Sequence, residues 1–275
     1  MDKIINGKEI SESIKKDLIK EISNINDRLK LVVYQVGNNP ASDIYVSKKQ
    51  NICSEVGIDF VLKKYDSIRE KDLIQEIEKD NTDKSVTSIL VQLPLPKELN
   101  EKNILNAIDY KKDVDGLSII NQGHLYRNEK GIVPCTALAV IKLLEKKNID
   151  VVGKNAVVVG RSSLVGLPTA LLLNNMNATV TLCHSKTSNL KEITKKADIL
   201  VVAIGKSKYI TKDMVKKDSI VIDVGINRDT KLCGDVDFDN VIKKASLITP
   251  VPKGVGPMTV VMLINNIINC YHLQK

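Results

Sequence analysis

A tyrosine and two adjacent lysines occur together in the segment "IYVSKKQN", residues 44–51. The surrounding pattern predicts a helix, in which Tyr45 and Lys49 stand at positions i and i+4 and share a face. Lys48 is rotated about 100° away from that face. An aromatic ring beside an amine can stack a flat substrate and move a proton, provided that burial or its neighbours favour the neutral amine. Because lysines are mostly surface residues, a solvated helix face is the competing interpretation.

Polar residues after a buried strand could complete such a site. Gln92 lies near the C-terminal end of the strand predicted in "VTSILVQLPLP", where ligands of open α/β sheets bind. Its amide can orient an amine without adding a negative charge. In the loop "KDVDG", the carboxylate of Asp115 could accept two hydrogen bonds from an amino-pyrimidinone edge. An Asx-turn made by Asp113 or Asp115 is an equally good interpretation of this loop.

A second candidate site lies in "VVVGRSSLVGLP", between a predicted strand and a predicted helix. Glycines at such a turn let the backbone approach a pyrophosphate, and the helix N-terminus offers free N–H groups to the anion. The glycines and serine at Gly160, Ser162 and Gly166 are spaced one residue wider than in G-x-G-x-x-G. A tight turn without a ligand is therefore an open alternative.

The end of the next predicted strand favours NADP over NAD. NAD sites usually place an acid there to bind the ribose 2′-hydroxyl, whereas this chain has "CHSKT" at residues 183–187. The hydroxyl of Ser185 and the cations of Lys186 and Arg161 suit a 2′-phosphate, which arginine can bind bidentately. Lys186 could equally be an exposed residue at the end of a strand.

Strand-like and helix-like segments alternate along the chain, which predicts an α/β fold of two domains with mostly parallel sheets. An N-terminal α/β domain is expected over residues 1–135 together with a C-terminal helix at about 256–275, and a Rossmann-like doubly wound domain over residues 136–255. Residues 109–135 are predicted to form a loop. Strands are predicted over 29–37, 58–65, 86–96, 155–160, 179–185, 198–205, 219–225 and 246–252, and helices over 9–25 (starting near Ser11), 39–57, 70–80, 100–108, 136–148 and 258–273, with a further helix after each of the first three strands of the second domain.

Composition excludes several classes of protein. With 43% hydrophobic and 27% charged residues, the 275-residue chain can bury a substantial core. The apolar runs are far shorter than the ~20 residues of a membrane span, and the N-terminus lacks a signal-peptide layout, so we expect a cytoplasmic protein without a membrane segment. Five scattered cysteines and three histidines predict neither disulfides nor a metal centre. The net charge of +8, without tryptophan, indicates a solvated basic surface rather than nucleic-acid binding.

Ordered motifs along nearly the whole chain carry a family resemblance: "NPASDIYVSKKQ", "SILVQLPLP", "KDVDG", "PCT", "VVVGRSSLVGLP", "VTLCHSKT", "IVIDVGIN", "GDVDF" and "ITPVPKGVGPMTV". With them the chain resembles the bifunctional methylenetetrahydrofolate dehydrogenase/methenyltetrahydrofolate cyclohydrolase family. The resemblance implies that methylenetetrahydrofolate passes a hydride to NADP and that water converts the methenyl product to 10-formyltetrahydrofolate. It also implies an active-site cleft between the domains and a homodimer formed through the second domain.

The same resemblance implies roles by motif position. Lys49 matches the catalytic lysine, Tyr45 matches the tyrosine that stacks on the aminobenzoate ring, and Gln92 matches the glutamine that tunes the lysine. Asp115 matches the aspartate that anchors the pterin. Further substrate contacts are implied at Leu93, Pro252 and Gly254, and cofactor contacts at Thr136, Gly160, Arg161, Ser162, Ser185 and Ile226. Thr136 and Ile226 follow from the resemblance alone.

Two residues depart from the family pattern. Ala137 replaces the proline of "PCTP" at a helix start, where the loss should cost little. Lys253 replaces a glycine in "PVPKGVGP" and is strained if that position requires a positive φ. Because the family's loop lies beside folate and nicotinamide, Lys253 could alter substrate affinity or reach the substrate's glutamate tail.

Other functions stay open on sequence alone. A dehydrogenase with weak hydrolase activity would follow if Lys253 disturbs the second step. A non-catalytic NADP-binding module would bind nucleotide without turnover, although Tyr45, Lys49, Gln92 and Asp115 together argue against it. A reductase like shikimate dehydrogenase would not explain "VQLPLP" together with "ITPVPKGVGPMTV".

Overall fold

The computed structural model describes residues 3–229 and 231–275. The described residues form two compact units. The first unit comprises residues 14–135 and 260–275, and the second unit comprises residues 136–259 together with the N-terminal residues through Ser13.

The first unit is built on a parallel sheet. Its strands are β1 (Lys30–Val36), β2 (Asp59–Tyr65) and β3 (Ser88–Val91), in the spatial order β2-β1-β3. The helices of this part of the chain are α1 (Gly7–Ser23), α2 (Pro40–Val56), α3 (Glu70–Thr82), α4 (Glu101–Asn106) and α5 (Ile119–Arg127). Strands β1 and β3 are buried almost throughout, whereas β2 is half exposed, as expected when β1 is the covered central strand of a parallel sheet.

One predicted loop in this unit was wrong. Residues 109–135 contain α5, which begins after Ser118 and ends at Asn128 in the left-handed conformation (φ 56°). The Ser118 hydroxyl accepts a hydrogen bond from the N–H of Asn121, as a helix N-cap does. The helix was missed because two of its large apolar residues, Ile119 and Tyr126, are 70% and 75% exposed, which removes the usual apolar periodicity.

The start of α1 was also predicted wrongly. The helix begins at Gly7, not near Ser11. The Asn6 side chain accepts from the N–H of Glu9 at 3.4 Å and donates to its carboxylate at 2.6 Å. The bond from the Glu9 N–H to the Asn6 side chain is an N-cap bond, so the helix starts earlier than a Ser11 cap would place it. The Ser11 hydroxyl instead donates back to the carbonyl of Lys8.

The second unit contains the larger parallel sheet and confirms the doubly wound prediction. Its strands are β4 (Asn155–Val159), β5 (Thr179–Cys183), β6 (Ile199–Val202), β7 (Ile220–Asp223), β8 (Asn227–Arg228), β9 (Leu232–Cys233) and β10 (Leu247–Ile248). The later helices of the chain are α6 (Cys135–Lys146), α7 (Gly166–Asn175), α8 (Leu190–Thr194), α9 (Phe238–Val241) and α10 (Val255–Leu273). The parallel sheet has the order β10-β7-β6-β4-β5. Because β5 and β6 lie on opposite sides of β4, the strand order reverses there, which is where such sheets bind ligands.

Two features of the second unit differ from the prediction. Strand β6 is followed by a short 3₁₀ helix (Lys212–Met214) rather than by the expected α-helix. Strands β8 and β9 form an antiparallel pair that the sequence did not predict, because two-residue strands leave no apolar alternation to detect.

The N-terminal residues pair with the second unit. Ile4 forms a parallel bridge with Ile248, and the N–H of Ile5 donates to the Ile248 carbonyl at 2.8 Å. The sequence had grouped this segment with the first domain. The predicted domain boundaries themselves stay a prediction. Within the described residues, no helix has both the length and the apolar character that crossing a membrane requires.

Candidate active site

Helix α2 carries the tyrosine and the lysines, and local signals fix both of its ends. The Asn39 side chain accepts from the N–H of Ala41 at 2.9 Å, Pro40 occupies the first turn, and Gly57 ends the helix with φ 79°. These are standard cap positions for asparagine, proline and glycine. The helix predicted over residues 39–57 is therefore confirmed.

Lys49 and Gln92 form a direct hydrogen bond. The Lys49 Nζ donates to the Gln92 Oε1 at 2.9 Å. The Gln92 Nε2 donates to the carbonyl of Leu93 at 2.7 Å, and the Gln92 N–H donates to the carbonyl of Tyr34 at 2.8 Å. Because its amide nitrogen is engaged with Leu93, the glutamine must present its oxygen to the lysine. The lysine is thus held by a neutral partner, as the sequence suggested.

The two lysines of α2 lie in different environments. Lys49 is half-buried and Lys48 is exposed. The expectation that Lys48 points away from Tyr45 was wrong, because its Nζ lies 5.8 Å from the centre of the Tyr45 ring. Residues at i and i+3 are also helix neighbours. The Tyr45 ring is 41% exposed, which leaves surface for stacking.

The buried Cys135 thiol contacts the Asp115 loop. Its Sγ donates to the Asp115 Oδ1 at 3.5 Å and lies 3.8 Å from the carbonyl oxygen of Val114. Burial, and then the charge of Asp115, raise the pKa of the Cys135 thiol well above its ordinary value, while Lys49 acts in the opposite direction. The thiol therefore stays protonated and orients the carboxylate.

The structure separates the two aspartates of "KDVDG". Asp113 is 1% exposed, and its Oδ2 accepts from the N–H of Ser118 at 2.8 Å and from the Asn121 amide at 3.0 Å. Burial raises the pKa of Asp113. This carboxylate anchors the start of α5. Asp115 is partly exposed and has acceptor capacity left for a ligand.

Sequence reasoning missed Asn266, a fully buried residue of α10. Its Nδ2 donates to the carbonyls of Val114 and Val133 at 2.9 and 2.8 Å, which ties together the backbone on either side of the Asp115 loop. Asn266 lies in the apolar run "VVMLINNIINC". A polar residue inside an apolar helix was the available signal, because buried amides need partners.

In the second unit, two glycines allow the strand, loop and helix of the phosphate-loop candidate to pack closely together. Gly160 has φ 119°, and a Cβ built on it would overlap the carbonyl of Ala203. A Cβ on Gly166, the first residue of α7, would overlap the carbonyl of Gly160. The Ser162 hydroxyl accepts from the N–H of Val165 at 3.2 Å. The glycines are therefore needed for close packing of strand, loop and helix.

The groups around this loop fit the phosphates of a dinucleotide. Across the described residues, the backbone N–H groups of residues 161–164 donate no hydrogen bond to the protein, which leaves them for an anion near the helix N-terminus. Arg161, Ser185 and Lys186 are exposed. After β5, the N–H of His184 donates to the Thr187 hydroxyl at 2.8 Å, and this turn presents the Ser185 and Lys186 side chains.

The cofactor residues implied by resemblance alone lie in the second unit. Thr136 stands in the first turn of α6, and its hydroxyl accepts from the Thr259 hydroxyl at 3.5 Å. Ile226 follows β7 and is 45% exposed. Next to it, Asp223 and Asp235 form a buried carboxylate pair that sequence reasoning did not select, although "GDVDF" contains one of them.

The loop around Lys253 is strained as the sequence suggested. Lys253 has φ 81°, a region that favours glycine. Its carbonyl accepts from the N–H of Lys8 at 3.1 Å. Pro252 is exposed, and Gly254 is buried where a Cβ would overlap the carbonyl of Pro250. The described residues contain no group of three or more His, Cys, Asp or Glu side chains that could hold a metal ion.

Comparison with known families decides the membership of the chain. The catalytic-domain model of the tetrahydrofolate dehydrogenase/cyclohydrolase family matches residues 5–115, and the family's NAD(P)-binding-domain model matches residues 134–275. The chain belongs to this family. The fold expected from sequence, a catalytic α/β region followed by a Rossmann-like NAD(P)-binding region, is confirmed.

Individual members of the tetrahydrofolate dehydrogenase/cyclohydrolase family match over nearly their whole length. The bifunctional protein FolD of Agathobacter rectalis is 50% identical over 272 residues, which are 97% of this chain and 98% of the relative. The crystal structure of bifunctional FolD from Campylobacter jejuni has a TM-score of 0.96 at 43% identity and covers 99% of both chains. The Trypanosoma brucei enzyme, complexed with NADP and an inhibitor, has a TM-score of 0.93 at 34% identity and covers 98% and 97%.

Proposed function

We propose that this chain is a bifunctional enzyme of one-carbon metabolism. It oxidises 5,10-methylenetetrahydrofolate with NADP and hydrolyses the 5,10-methenyl product to 10-formyltetrahydrofolate. One observation carries the proposal: the half-buried Lys49 amine is held by the neutral Gln92 amide at 2.9 Å, one helical turn from the exposed Tyr45 ring. The match of both family models favours this reaction over a reductase like shikimate dehydrogenase.

Lys49 is the proton carrier of the hydrolytic step. Its Nζ takes one proton of the water that adds to the methenyl carbon and passes it to the ring nitrogen that leaves that carbon, while the remaining hydroxyl proton of the adduct is released to solvent as the formyl C=O forms. Gln92 aims the Lys49 amine and places no negative charge beside it, as an acidic residue at this position would.

Other residues of the first unit orient the folate. The exposed Tyr45 ring stacks on the aminobenzoate ring. Asp115, oriented by the Cys135 thiol, accepts hydrogen bonds from the amino-pyrimidinone edge of the pterin. The remaining substrate contacts are assigned to Leu93 of this unit and to Pro252 and Gly254 of the second unit.

The second unit binds NADP, which accepts the hydride of the oxidised substrate when it is bound. Gly160 and Ser162 bring loop backbone to the pyrophosphate. Arg161 and Ser185 bind the ribose 2′-phosphate, since arginine and hydroxyl groups suit an anion where an NAD site would carry an acid. Thr136 is assigned to the nicotinamide side, and Ile226 is assigned to NADP. The protein's task in this step is to hold two rings in register. A homodimer formed through the second unit and a cytoplasmic location stay predictions.

The test is a pair of assays on the purified protein. Oxidation of methylenetetrahydrofolate is measured with NADP and with NAD, by following the absorbance of the methenyl intermediate. Hydrolysis of methenyltetrahydrofolate is then measured separately without nucleotide. We expect turnover in both assays and faster oxidation with NADP. Oxidation with persistent accumulation of the methenyl compound would indicate a dehydrogenase alone, and nucleotide binding without turnover in either assay would refute the proposal.

A further inference from the structure

Two buried carboxylates of the second unit have no role in the reaction as described so far. Asp223, the last residue of β7, is 3% exposed, and Asp235, which follows β9, is fully buried. Burial raises the pKa of Asp223 to about 7, against the backbone N–H groups that favour its charged form. Burying two carboxylates is expensive unless their acceptor sites are filled.

Asp235 fills its acceptor sites with donors from two different loops. Its Oδ2 accepts from the N–H groups of Ile204 and Gly205 at 2.7 and 3.0 Å. Its Oδ1 accepts from the N–H of Lys206 at 2.8 Å and from the Asn227 Nδ2 at 2.9 Å. One carboxylate thus ties the loop after β6 to the residue that begins β8.

Asp223 in turn fixes the backbone that carries Asp235. Its Oδ1 accepts from the N–H of Asp235 and its Oδ2 from the N–H of Val236, both at 2.9 Å. Two glycines make room for this arrangement. A Cβ on Gly225 would overlap the Asp235 carboxylate, and a Cβ on Gly234 would overlap the Asp223 carboxylate. The motifs "DVG" and "GDVD" are therefore two halves of one packed unit.

The loops held by Asp235 lie at the carboxyl ends of β6 and β7, beside the candidate cofactor site. Ile204 directly follows Ala203, whose carbonyl lies so close to Gly160 of the phosphate loop that a Cβ there would overlap it. Asn227 directly follows the exposed Ile226. A single buried side chain therefore joins two loops on the β6 side of β4, next to the point where parallel sheets of this type bind a dinucleotide.

We propose that Asp235 is a positioning residue for NADP: its carboxylate holds the loop after β6 and the start of β8 in the conformation that accepts the dinucleotide. The inference rests on the proposed function for the identity of the nucleotide. Loops already fixed in the binding conformation lose less conformational freedom when a ligand binds, which raises affinity. Removing the anchor should therefore weaken binding before it affects the fold.

Asp235→Asn is the direct test, since it keeps the size of the side chain and replaces one acceptor oxygen with a donor that would face two N–H groups. We expect the NADP dissociation constant, measured by titration calorimetry without folate, to rise about tenfold, which equals about 1.4 kcal/mol. The KM for NADP should rise more than kcat falls, because the reacting groups are untouched.

Asp237→Asn is the matched control in the same motif. The Asp237 carboxylate accepts from the Asn240 side chain at 2.8 Å, within the segment of α9. The same chemical change two residues away should leave NADP affinity within twofold of the wild type. Thermal unfolding and nucleotide-independent hydrolysis of methenyltetrahydrofolate distinguish weakened binding from loss of fold in every variant.

Asn227→Ala is a second test of the same contact, and it can be used even if Asp235→Asn does not fold. It removes one donor to Asp235 and leaves the carboxylate three backbone partners, so we expect about a threefold rise in the NADP dissociation constant. NADP binding within twofold of the wild type in Asn227→Ala and in folded Asp235→Asn would overturn the inference, as would a wild-type protein that binds no NADP. A wild-type protein that binds NADP without turnover would refute the proposed function alone.

Discussion

The two candidate sites are built from different parts of the polypeptide. In the first unit, the chemistry rests on side chains, because the amine of Lys49 meets the amide of Gln92, which lies 43 residues away in sequence. In the second unit, the site is mainly backbone, since glycines allow the strand, loop and helix to approach and buried carboxylates hold the loops. Substitutions in the first site should therefore remove a reacting or orienting side chain. Substitutions in the second site should fill the space that lets strand, loop and helix approach one another.

The largest effect is expected in the side-chain site. Lys49→Gln removes the proton carrier and keeps a polar side chain that can still pair with Gln92. General acid–base catalysis typically contributes roughly 10²–10⁴-fold, so hydrolysis of methenyltetrahydrofolate should fall by about that factor in a stopped-flow assay. Lys48→Gln is the matched control, because its exposed amine lies on the adjacent position. Equal losses in both variants would assign the effect to helix charge rather than to Lys49.

The backbone site should respond most strongly to an added methyl group. Gly160→Ala places a Cβ against the Ala203 carbonyl at a residue with φ 119°, so the loop must shift. We expect NADP affinity to fall about a hundredfold, or about 2.7 kcal/mol, while hydrolysis without nucleotide continues. Gly153→Ala is the control for backbone strain, since Gly153 also has a positive φ (68°) but its Cβ would meet nothing within 4 Å. Unchanged NADP affinity in Gly160→Ala would contradict a cofactor site built mainly from backbone.

One side chain at the edge of the backbone site is expected to bind the nucleotide directly. Arg161 is exposed in the phosphate loop and is the candidate partner of the 2′-phosphate. Removing a charge-assisted contact costs about 1.5–3 kcal/mol, so Arg161→Ala should weaken NADP binding by roughly tenfold or more, as measured by calorimetry. NAD serves as the internal control because it lacks the 2′-phosphate, and its affinity should change little. Equal weakening of both nucleotides would refute the 2′-phosphate role.

The smallest expected effect concerns stability. Lys253→Gly relieves a positive φ of 81°, so the free energy of unfolding should rise by about 1 kcal/mol in a denaturant titration. Lys253→Gln keeps the backbone strain and removes the charge, so it should leave stability unchanged. If Lys253→Gln stabilises the protein as much as Lys253→Gly does, the relevant term is charge rather than backbone strain.

The sequence predicted the parts that depend on local pattern. The ends of α2 follow from Asn39, Pro40 and Gly57, whose preferences act within one turn of the helix. The parallel sheets follow from buried apolar runs such as β4 and β6. Helix α5 was not predicted, because its exposed apolar residues face away from a core.

Contacts between distant segments were harder to predict. The Cys135 bond to Asp115 and the Asn266 bridge across the Asp115 loop join residues far apart in sequence, and no local spacing specifies them. The same is true of Asp235 and the loop after β6. For Lys49, helical spacing and the family resemblance selected the residue, and the structure added the orientation of its partner amide.

The lysine site is expected to carry out the hydrolysis, and the backbone site is expected to bind the nucleotide. The most direct test is the NADP dissociation constant of Lys49→Gln, measured by calorimetry on a sample whose hydrolytic activity is already shown to be lost. We expect a value within twofold of the wild type. A tenfold weakening of NADP binding in that variant would contradict this separation of the two functions.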